Sequence, residues 1–522
     1  MMDSVDAWTG RTACALQAAL RLTQEAFAEH LGINLRTVAA WHQQPDMSPK
    51  AATQQILDTA LERASDAERQ RFAHLAGLVP AAEAGDHEEA ERRLSEDPNV
   101  ASALEWLDKH TGWTPGTARR RVAARLATVD LRELQDRGQR RSQVNQRQLA
   151  DALNAYYAGH GEYGTYRATY DDHTITTSVL TRAEWLDLEC ELTPETDRLT
   201  LSTKPGELDP NIDELAADHA VTRLAEALTA SVRVVDLPLY RLLDIDIRDV
   251  RIGGAVGMTT FAHYALTMDL LESELVDALA GGAAARPGTL PLRDRHLPDT
   301  ASVVDVAGRL CVGGALALCA IARPAAPGRP ADYLLLVQER SGRVLNAARR
   351  LAVTPKGFHQ PLADYRNDTQ LANTLTREME EELFGREEVD STNGDQVTAD
   401  PLHPKRLTRP MRWLTKSPGR LRIEVTGFGL NLVSGNYECA SLVMIDDEAF
   451  WERFGGHTEA NWETGNLRRY SSQDRELLTD LLGDPAWSNE GLFALLQGLR
   501  RLAQLSPERV NVPSITWAVD QR

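Results

Sequence analysis

Three glutamates in the C-terminal third of the chain form the pattern with the clearest chemistry. Residues 371–385 repeat apolar residues at helical spacing, and Glu378, Glu381 and Glu382 fall close together beside that apolar stripe. Crowded carboxylates repel one another unless a cation neutralises them, and hard oxygen ligands suit Mg²⁺ or Mn²⁺. We therefore predict a divalent-metal site on these glutamates, with Glu380 pointing away to solvent.

The same segment resembles the signature of the Nudix hydrolases, which ends in Arg-Glu-apolar-x-Glu-Glu-x-Gly. Residues 377–385 read Arg-Glu-Met-Glu-Glu-Glu-Leu-Phe-Gly. The resemblance implies that Glu378, Glu381 and Glu382 bind the metal that activates attack on a nucleoside diphosphate. It also implies that Arg377 orients these glutamates. Upstream, residues 333–337, 342–344 and 355–358 look like strands of that fold and the glycine that enters its loop.

Three features depart from the Nudix signature. Gly385 comes one residue late, Gly357 stands twenty residues before Arg377 where the family has fourteen, and Thr369 occupies the position of the usual upstream glutamate. The loop is therefore longer and has lost a carboxylate. We expect a degenerate Nudix-like domain that binds a nucleotide-like ligand rather than hydrolysing it. A surface helix with an ordinary Glu-rich face is the alternative.

Near the N-terminus, residues 22–41 predict two short helices joined by a tight turn. Thr23 can cap the first helix, Gly32 can end it in the left-handed conformation, and Asn34 can cap the second. The apolar residues of both helices fall on facing sides and predict a shared core: Phe27, Ala28, Leu31, Val38 and Trp41.

This helix-turn-helix pattern resembles the DNA-binding domain of Xre/Cro-type transcriptional regulators over about fifty residues. The resemblance implies contacts with base edges or phosphates of double-stranded DNA, with Asn34 at the entry of the second helix and the other contacts from Gln24, Leu35, Arg36, Thr37 and Ala40. Modules of this type read two half-sites, so we expect a homodimer. A protein-binding or dimerising adaptor is the alternative, because acidic residues outnumber basic ones in this region.

Charge along the chain qualifies the DNA-binding prediction. The formal net charge is −19, whereas affinity for the DNA backbone comes mainly from lysine and arginine. Residues 116–146 run against the trend, with eight arginines and three acidic residues. Two interpretations stay open: additional phosphate contacts, or the solvated face of ordinary helices.

The remaining composition is that of a soluble protein. No run of about 18 apolar residues predicts a membrane span, and the first twenty residues do not resemble a secretion signal, so we expect a cytoplasmic protein. The five scattered cysteines fit neither a disulfide framework nor a zinc site.

Changes in sequence texture predict a multidomain chain. We expect an all-α helix-turn-helix head at residues 1–78, a helical arginine-rich connector at 79–157, an α/β middle domain at 158–290, and an α/β Nudix-like domain with C-terminal helices at 291–522. In the middle domain, Asp244 and Asp246 alternate onto one solvent-exposed strand face. Gly253, Gly254 and Gly257 are expected to form a structural turn rather than a phosphate-binding loop.

Together these patterns favour a DNA-binding transcriptional regulator that senses a nucleotide-like ligand. The alternatives are a metal-dependent Nudix hydrolase carrying a DNA-targeting or adaptor head, and a binding scaffold without a ligand.

Overall fold

The computed structural model describes residues 8–520 except 21, 46, 65–67, 69–71, 73–89, 96–98, 158–160, 205, 207, 211, 231, 233, 249, 341–349, 387–401 and 456–463. The chain divides into two compact units, Met1–Arg92 and Arg93–Arg522. The boundary predicted between residues 78 and 79 lies outside the described residues, as does the strand predicted at residues 342–344.

Four helices build the described part of the first unit: α1 (Gly10–Ala19), α2 (Gln24–Leu31), α3 (Leu35–Gln43) and α4 (Ala51–Arg63). The turn between α2 and α3 has the predicted caps. Thr23 accepts a hydrogen bond from the backbone N–H of Ala26 (3.2 Å), and Asn34 accepts one from that of Arg36 (2.9 Å). Gly32 ends α2 in the left-handed conformation (φ 66°). The predicted turn chemistry is confirmed.

The core of the first unit lies between these helices. All five residues predicted to form it are buried, and they pack with Trp8, Leu16 and Leu57. Trp8 also donates its indole N–H to Asp58 (2.7 Å), which ties the segment before α1 to α4. The helical spacing therefore identified this core correctly.

Helices also open the second unit: α5 (Val100–Thr111), α6 (Thr117–Ala127), α7 (Leu131–Ser142) and α8 (Gln146–Tyr156). The predicted connector is thus helical, but it belongs to the same compact unit as the α/β part of the chain. At the start of α8, the Gln146 side chain donates to the backbone carbonyl of Thr176 and to Asn489 Oδ1, both at 2.8 Å.

Within the described residues, eleven strands form one mixed sheet, whose main path runs in the order β13, β8, β7, β12, β11, β2, β1, β14. Strands β12 and β7 are parallel, and β9, β10 and β3 pair with β8, β7 and β11. Their bounds are β1 (Gly164–Tyr170), β2 (His173–Thr181), β3 (Leu186–Glu191), β7 (Gly313–Arg323), β8 (Asp332–Arg340), β9 (Leu351–Val353), β10 (Lys356–Phe358), β11 (Leu421–Asn431), β12 (Tyr437–Ile445), β13 (Thr464–Ser471) and β14 (Ile515–Asp520).

Three further strands form a smaller sheet: β4 (Asp197–Leu201), β6 (Arg251–Thr260) and β5 (Pro238–Arg248), in that order. The remaining helices are α9 (Glu214–Thr229), α10 (Phe261–Ala265), α11 (Leu270–Ala280), α12 (Pro291–His296), α13 (Thr300–Val304), α14 (Leu371–Glu378), α15 (Arg409–Thr415), α16 (Glu448–Phe454), α17 (Arg475–Leu482) and α18 (Asn489–Leu505). Short 3₁₀ turns occur at Ala183–Trp185, Asn367–Thr369 and Pro507–Arg509.

The large sheet is covered on both faces. Leu316 and Leu318 of β7 share a core with the apolar side of α18. On β8, Val337 belongs to this core, whereas the next residue, Gln338, bonds a glutamate that follows α14. Because successive strand residues point to opposite faces, α18 and α14 lie on opposite sides of the sheet.

The predicted boundary at residue 290 does not separate compact units. Strands β1 and β2, from the predicted middle domain, pair with β14 and β11 in the same sheet as β7 and β12. The small-residue stretch at 280–288 is a connection between α11 and α12. Strand pairing between distant segments leaves no local pattern in the sequence, so composition gave no sign that these segments share one sheet.

The predicted glycine turn at 253–257 is also wrong, because these glycines lie inside β6. Gly254 has φ 134°, and a Cβ there would lie 2.2 Å from the backbone oxygen of Asp244, beside the irregularity where β5 bulges. Glycine is needed for this close strand approach.

Asp244 and Asp246 are exposed, as predicted. All five cysteines are free, and all but Cys14 are buried. No helix of the described chain is long and apolar enough to cross a membrane.

Candidate functional site

The glutamate-rich segment forms one continuous helical element with a local change of geometry. Helix α14 passes directly into a π-helical turn at Met379–Leu383, and Gly385 follows with φ 69°. A π-helical turn holds one more residue than an α-helical turn. The helix predicted at residues 371–384 is therefore present, and the extra residue before Gly385 coincides with the π turn.

The apolar stripe of this element is buried as predicted. Leu371, Leu375, Met379 and Leu383 are fully buried, so the helix faces the protein interior and is not an ordinary surface helix. The alternative that this segment is a surface helix is therefore wrong. Burial of the stripe also places the neighbouring carboxylates in a region of low polarity, where each requires hydrogen-bond partners.

Glu382 anchors the π turn to the sheet. Its Oε2 accepts hydrogen bonds from Thr354 Oγ1 and from the backbone N–H of Lys356, both at 2.9 Å, and its Oε1 accepts one from Gln338 Nε2 at 3.2 Å. The side chain is buried. Glu382 therefore joins the helix to β8 and to the connection between β9 and β10.

Glu378 lies against the glycine predicted to enter the loop. A Cβ on Gly357 would lie 1.9 Å from Glu378 Oε1, so only glycine fits at that point. Arg377 pairs with Glu378 and donates to the backbone carbonyl of Phe358 at 3.0 Å. Burial lowers the pKa of Arg377, but the charges of Glu378 and Glu381 outweigh burial and raise it. Arg377 thus contacts Glu378, as the predicted orienting role requires.

Glu380 does not point to solvent as predicted. It is fully buried, accepts hydrogen bonds from the backbone N–H (3.1 Å) and hydroxyl (2.7 Å) of Thr408, and pairs with Arg386 at 3.2 Å. The prediction failed because regular α-helical angles do not apply within a π turn, and because residues near 408 cover this side of the helix. Helical periodicity gives no signal of either effect.

The start of α14 is capped by a residue from a distant strand. Asp197, the first residue of β4, accepts hydrogen bonds from the backbone N–H of Ala372 (3.0 Å) and that of Leu371. Its Oδ1 is buried without a hydrogen-bond partner among the described residues. Burial raises the pKa of Asp197 to about 7, against the lowering effect of these two bonds. Sequence reasoning missed Asp197, because no motif links it to residue 372.

A second buried network was also missed, at the N-terminus of α18. Lys356 Nζ pairs with Glu490 at 2.7 Å, and Asn431 Nδ2 lies 3.3 Å from carboxylate oxygens of both Glu490 and Glu438. Burial and the charge of Glu490 raise the pKa of Glu438 to about 8. Lys356 lowers the pKa of Glu490 despite burial. Because its backbone N–H also bonds Glu382, Lys356 connects the two faces of the sheet.

The predicted metal site stays a prediction. Glu378, Glu381 and Glu382 are all buried on one element, but no group of three His, Cys, Asp or Glu side chains in the described chain has a metal-holding arrangement. In this geometry Glu382 is bound by three protein donors and Glu378 by Arg377. The arrangement present does not fit Mg²⁺ or Mn²⁺ without rearrangement of these side chains.

No protein-family model matches the chain, and no curated protein is significantly similar to it.

Of the six residues predicted to contact DNA, Gln24 is the first residue of α2, and the other five lie at the N-cap of α3 and along that helix. Asn34, Leu35 and Arg36 are exposed, and Leu35 has 41% of its surface accessible. Gln24, Thr37 and Ala40 are half-buried. The start of α3 therefore presents an apolar side chain and a guanidinium side by side to solvent.

Four arginines of the connector are engaged within the second unit. Arg121 and Arg125 of α6 pair with Glu214 and Asp218 of α9. From α7, Arg137 pairs with Glu226 of α9 and Arg141 with Asp277 of α11. These pairs favour an internal electrostatic role for much of the arginine-rich segment over contacts with phosphates.

Proposed function

We propose that this protein is a DNA-binding transcriptional regulator, in which a homodimer reads double-stranded DNA through α3 of the first unit. The exposed pair Leu35 and Arg36 is the observation that carries the proposal. Arginine recognises guanine edges in the major groove, and apolar side chains contact the thymine methyl group. The capped turn fixes the entry of α3, as reading by a recognition helix requires.

We further propose that the Nudix-like element of the second unit binds a nucleotide-like ligand and does not hydrolyse it. Support comes from Glu382, whose carboxylate accepts hydrogen bonds from the side chains of Gln338 and Thr354 and from the backbone N–H of Lys356. Such bonds stabilise the helix, but they compete with coordination of a catalytic cation. A ligand controls DNA binding only if its affinity differs between the DNA-competent and DNA-incompetent states.

The DNA-binding proposal is tested by selecting a target sequence with the intact protein and comparing variants on it. Arg36→Ala should weaken specific binding by about 5-fold to 150-fold, because a good arginine–base contact contributes about 1–3 kcal/mol. Arg412→Ala, at an exposed position of α15 outside the arginine-rich segment, is the matched control and should leave affinity unchanged. Equal affinity of wild type and Arg36→Ala would contradict the groove assignment. Sedimentation of a single protomer on the target would contradict the dimer.

The ligand proposal is tested with ADP-ribose as probe, with and without Mg²⁺ or Mn²⁺. We expect calorimetric binding without turnover, and a change in affinity for the selected DNA. Metal-dependent hydrolysis at about one turnover per second or faster would instead favour the hydrolase alternative. Absence of both binding and turnover would remove the support for a nucleotide sensor.

A further inference from the structure

A cavity of about 140 Å³ lies in the second unit, away from the glutamate-rich helix. Its lining includes His263 of α10, His296 of α12, and Arg309 in the segment that leads into β7. This volume is smaller than the roughly 300–1,000 Å³ clefts that hold drug-sized ligands. The cavity is therefore suited to a small molecule, or to one group of a larger one.

Arg309 is the most unusual residue of this cavity. It is 93% buried, and its Nε and Nη1 donate to the backbone carbonyls of Val303 (2.9 Å) and Gly435 (2.6 Å). Its Nη2 has no hydrogen-bond partner in the described part of the chain. Within the same residues, no carboxylate forms an ion pair with Arg309. A buried cation with neutral partners and an unused donor is costly unless an anion completes its surroundings.

The other polar groups at the cavity suit an anion as well. Burial lowers the pKa of His263 and His296 to about 4, so both rings are neutral at pH 7 and each carries one N–H. His263 Nδ1 is hydrogen-bonded to Thr259 Oγ1 at 3.2 Å, so this ring can donate to an anion only from Nε2. Arg295 adds a second guanidinium, which pairs with Asp213. Asp209 is the carboxylate in the lining and opposes an anion there. The donors outnumber it, and guanidinium groups bind phosphate oxygens with charge-assisted hydrogen bonds.

We propose that this cavity binds a phosphate-sized oxyanion beside the guanidinium groups of Arg309 and Arg295, drawn there by the buried charge of Arg309, which no carboxylate of the described residues neutralises. The anion is either free phosphate or the phosphate group of a larger molecule. This site goes beyond the proposed function, since it shares no residue with the glutamate-rich helix or with α3.

The test is calorimetry of the intact protein with inorganic phosphate, at constant ionic strength. Asp209→Asn removes the opposing charge from an exposed loop position and should tighten phosphate binding about threefold. Asp244→Asn, the same substitution at an exposed position outside the cavity, should change nothing. Arg309 also donates hydrogen bonds to backbone carbonyls, so its replacement would change the stability of the fold as well as phosphate binding.

A second variant blocks the cavity. Leu208→Trp enlarges a half-buried lining residue in the same loop and should weaken phosphate binding about tenfold or more, because the anion loses its charged hydrogen bonds. Ribose 5-phosphate distinguishes the two sources: tighter binding than inorganic phosphate indicates a phosphate ester, and equal binding indicates free phosphate. No binding at millimolar phosphate, or binding that neither Asp209→Asn nor Leu208→Trp alters, would overturn the proposal. Either result would leave the DNA and ADP-ribose tests unaffected.

Discussion

At the scale of single residues, Asp197 joins two parts of the chain that are 175 positions apart. Its carboxylate caps α14, but burial leaves one of its oxygens without a partner among the described residues. The pKa of Asp197 is raised because the effect of burial outweighs that of the two backbone hydrogen bonds. Asp197 is protonated in the folded protein at pH values where an unfolded aspartate is charged, so it should make stability depend on pH.

The folded pKa of Asp197 is about 7, against 3.8 for the unconstrained side chain. Its contribution to stability is therefore fully present below about pH 4 and is lost as the pH rises through about 7. Asp197→Asn keeps an acceptor for the cap and carries no charge. We expect the variant to gain melting temperature over wild type at pH 8 and to lose that advantage near pH 4.5. Other groups, such as the buried histidines, titrate in both proteins and cancel in the difference. A difference that does not vary with pH would contradict the assignment.

At the scale of elements, the π turn after α14 explains why Glu380 is buried. Its carboxylate holds Thr408 and Arg386 against the helix. Glu380→Ala leaves these groups without their buried partner and should cost about 3 kcal/mol in the free energy of unfolding. Urea denaturation measures this cost. Glu105→Ala, at an exposed position of α5, is the control and should change stability by about 0.5 kcal/mol or less.

The substitution of glycine by alanine should have opposite effects at two positions, one at the end of a helix and one inside a helix. Gly32 has a left-handed φ of 66°, whereas Gly138 lies inside α7, and a Cβ would meet no atom within 4 Å at either position. Gly32→Ala should destabilise the turn by about 1 kcal/mol or more, and Gly138→Ala should stabilise α7 by about 0.5–1 kcal/mol. Hydrogen exchange of the intact protein should become faster in α2 and α3 for the first variant and slower in α7 for the second. The same direction for both would show that backbone conformation does not determine the effect.

At the scale of the whole molecule, the arginine-rich helices are tied to acidic residues that follow them in the chain. The pair between Arg137 and Glu226 is partly buried, with 28% and 18% of the two side chains exposed. This arrangement explains how a strongly basic segment exists in a chain with a net charge of −19.

Arg137→Glu should lower stability by placing two carboxylates together, and the additional change Glu226→Arg should recover about 1 kcal/mol. Denaturation of both single variants and the double variant measures this coupling. Arg137→Ala should also leave affinity for the selected DNA within about twofold of wild type, unlike Arg36→Ala. If the effects of Arg137→Glu and Glu226→Arg on stability simply add in the double variant, the ion pair is contradicted. A large loss of DNA affinity in Arg137→Ala would contradict the internal role of Arg137.

Local patterns in the sequence determined the features that depend on near neighbours. The caps at Thr23 and Asn34, the glycine that ends α2 and the apolar stripe of α14 all follow from spacing and turn chemistry, and the structure confirms them. These features were predictable because hydrogen bonds within a turn and the 3.6-residue or two-residue period involve residues close in the chain.

The tertiary structure alone decided which distant groups meet. It placed β1 and β2 in the sheet of the C-terminal half, brought Asp197 to the start of α14, buried Glu380 under Thr408, and gathered Arg309 and two histidines around one cavity. A periodic pattern specifies the face on which a residue lies, but not the segment that packs against that face. Burial, and with it the pKa of each carboxylate and imidazole, depends on that packing.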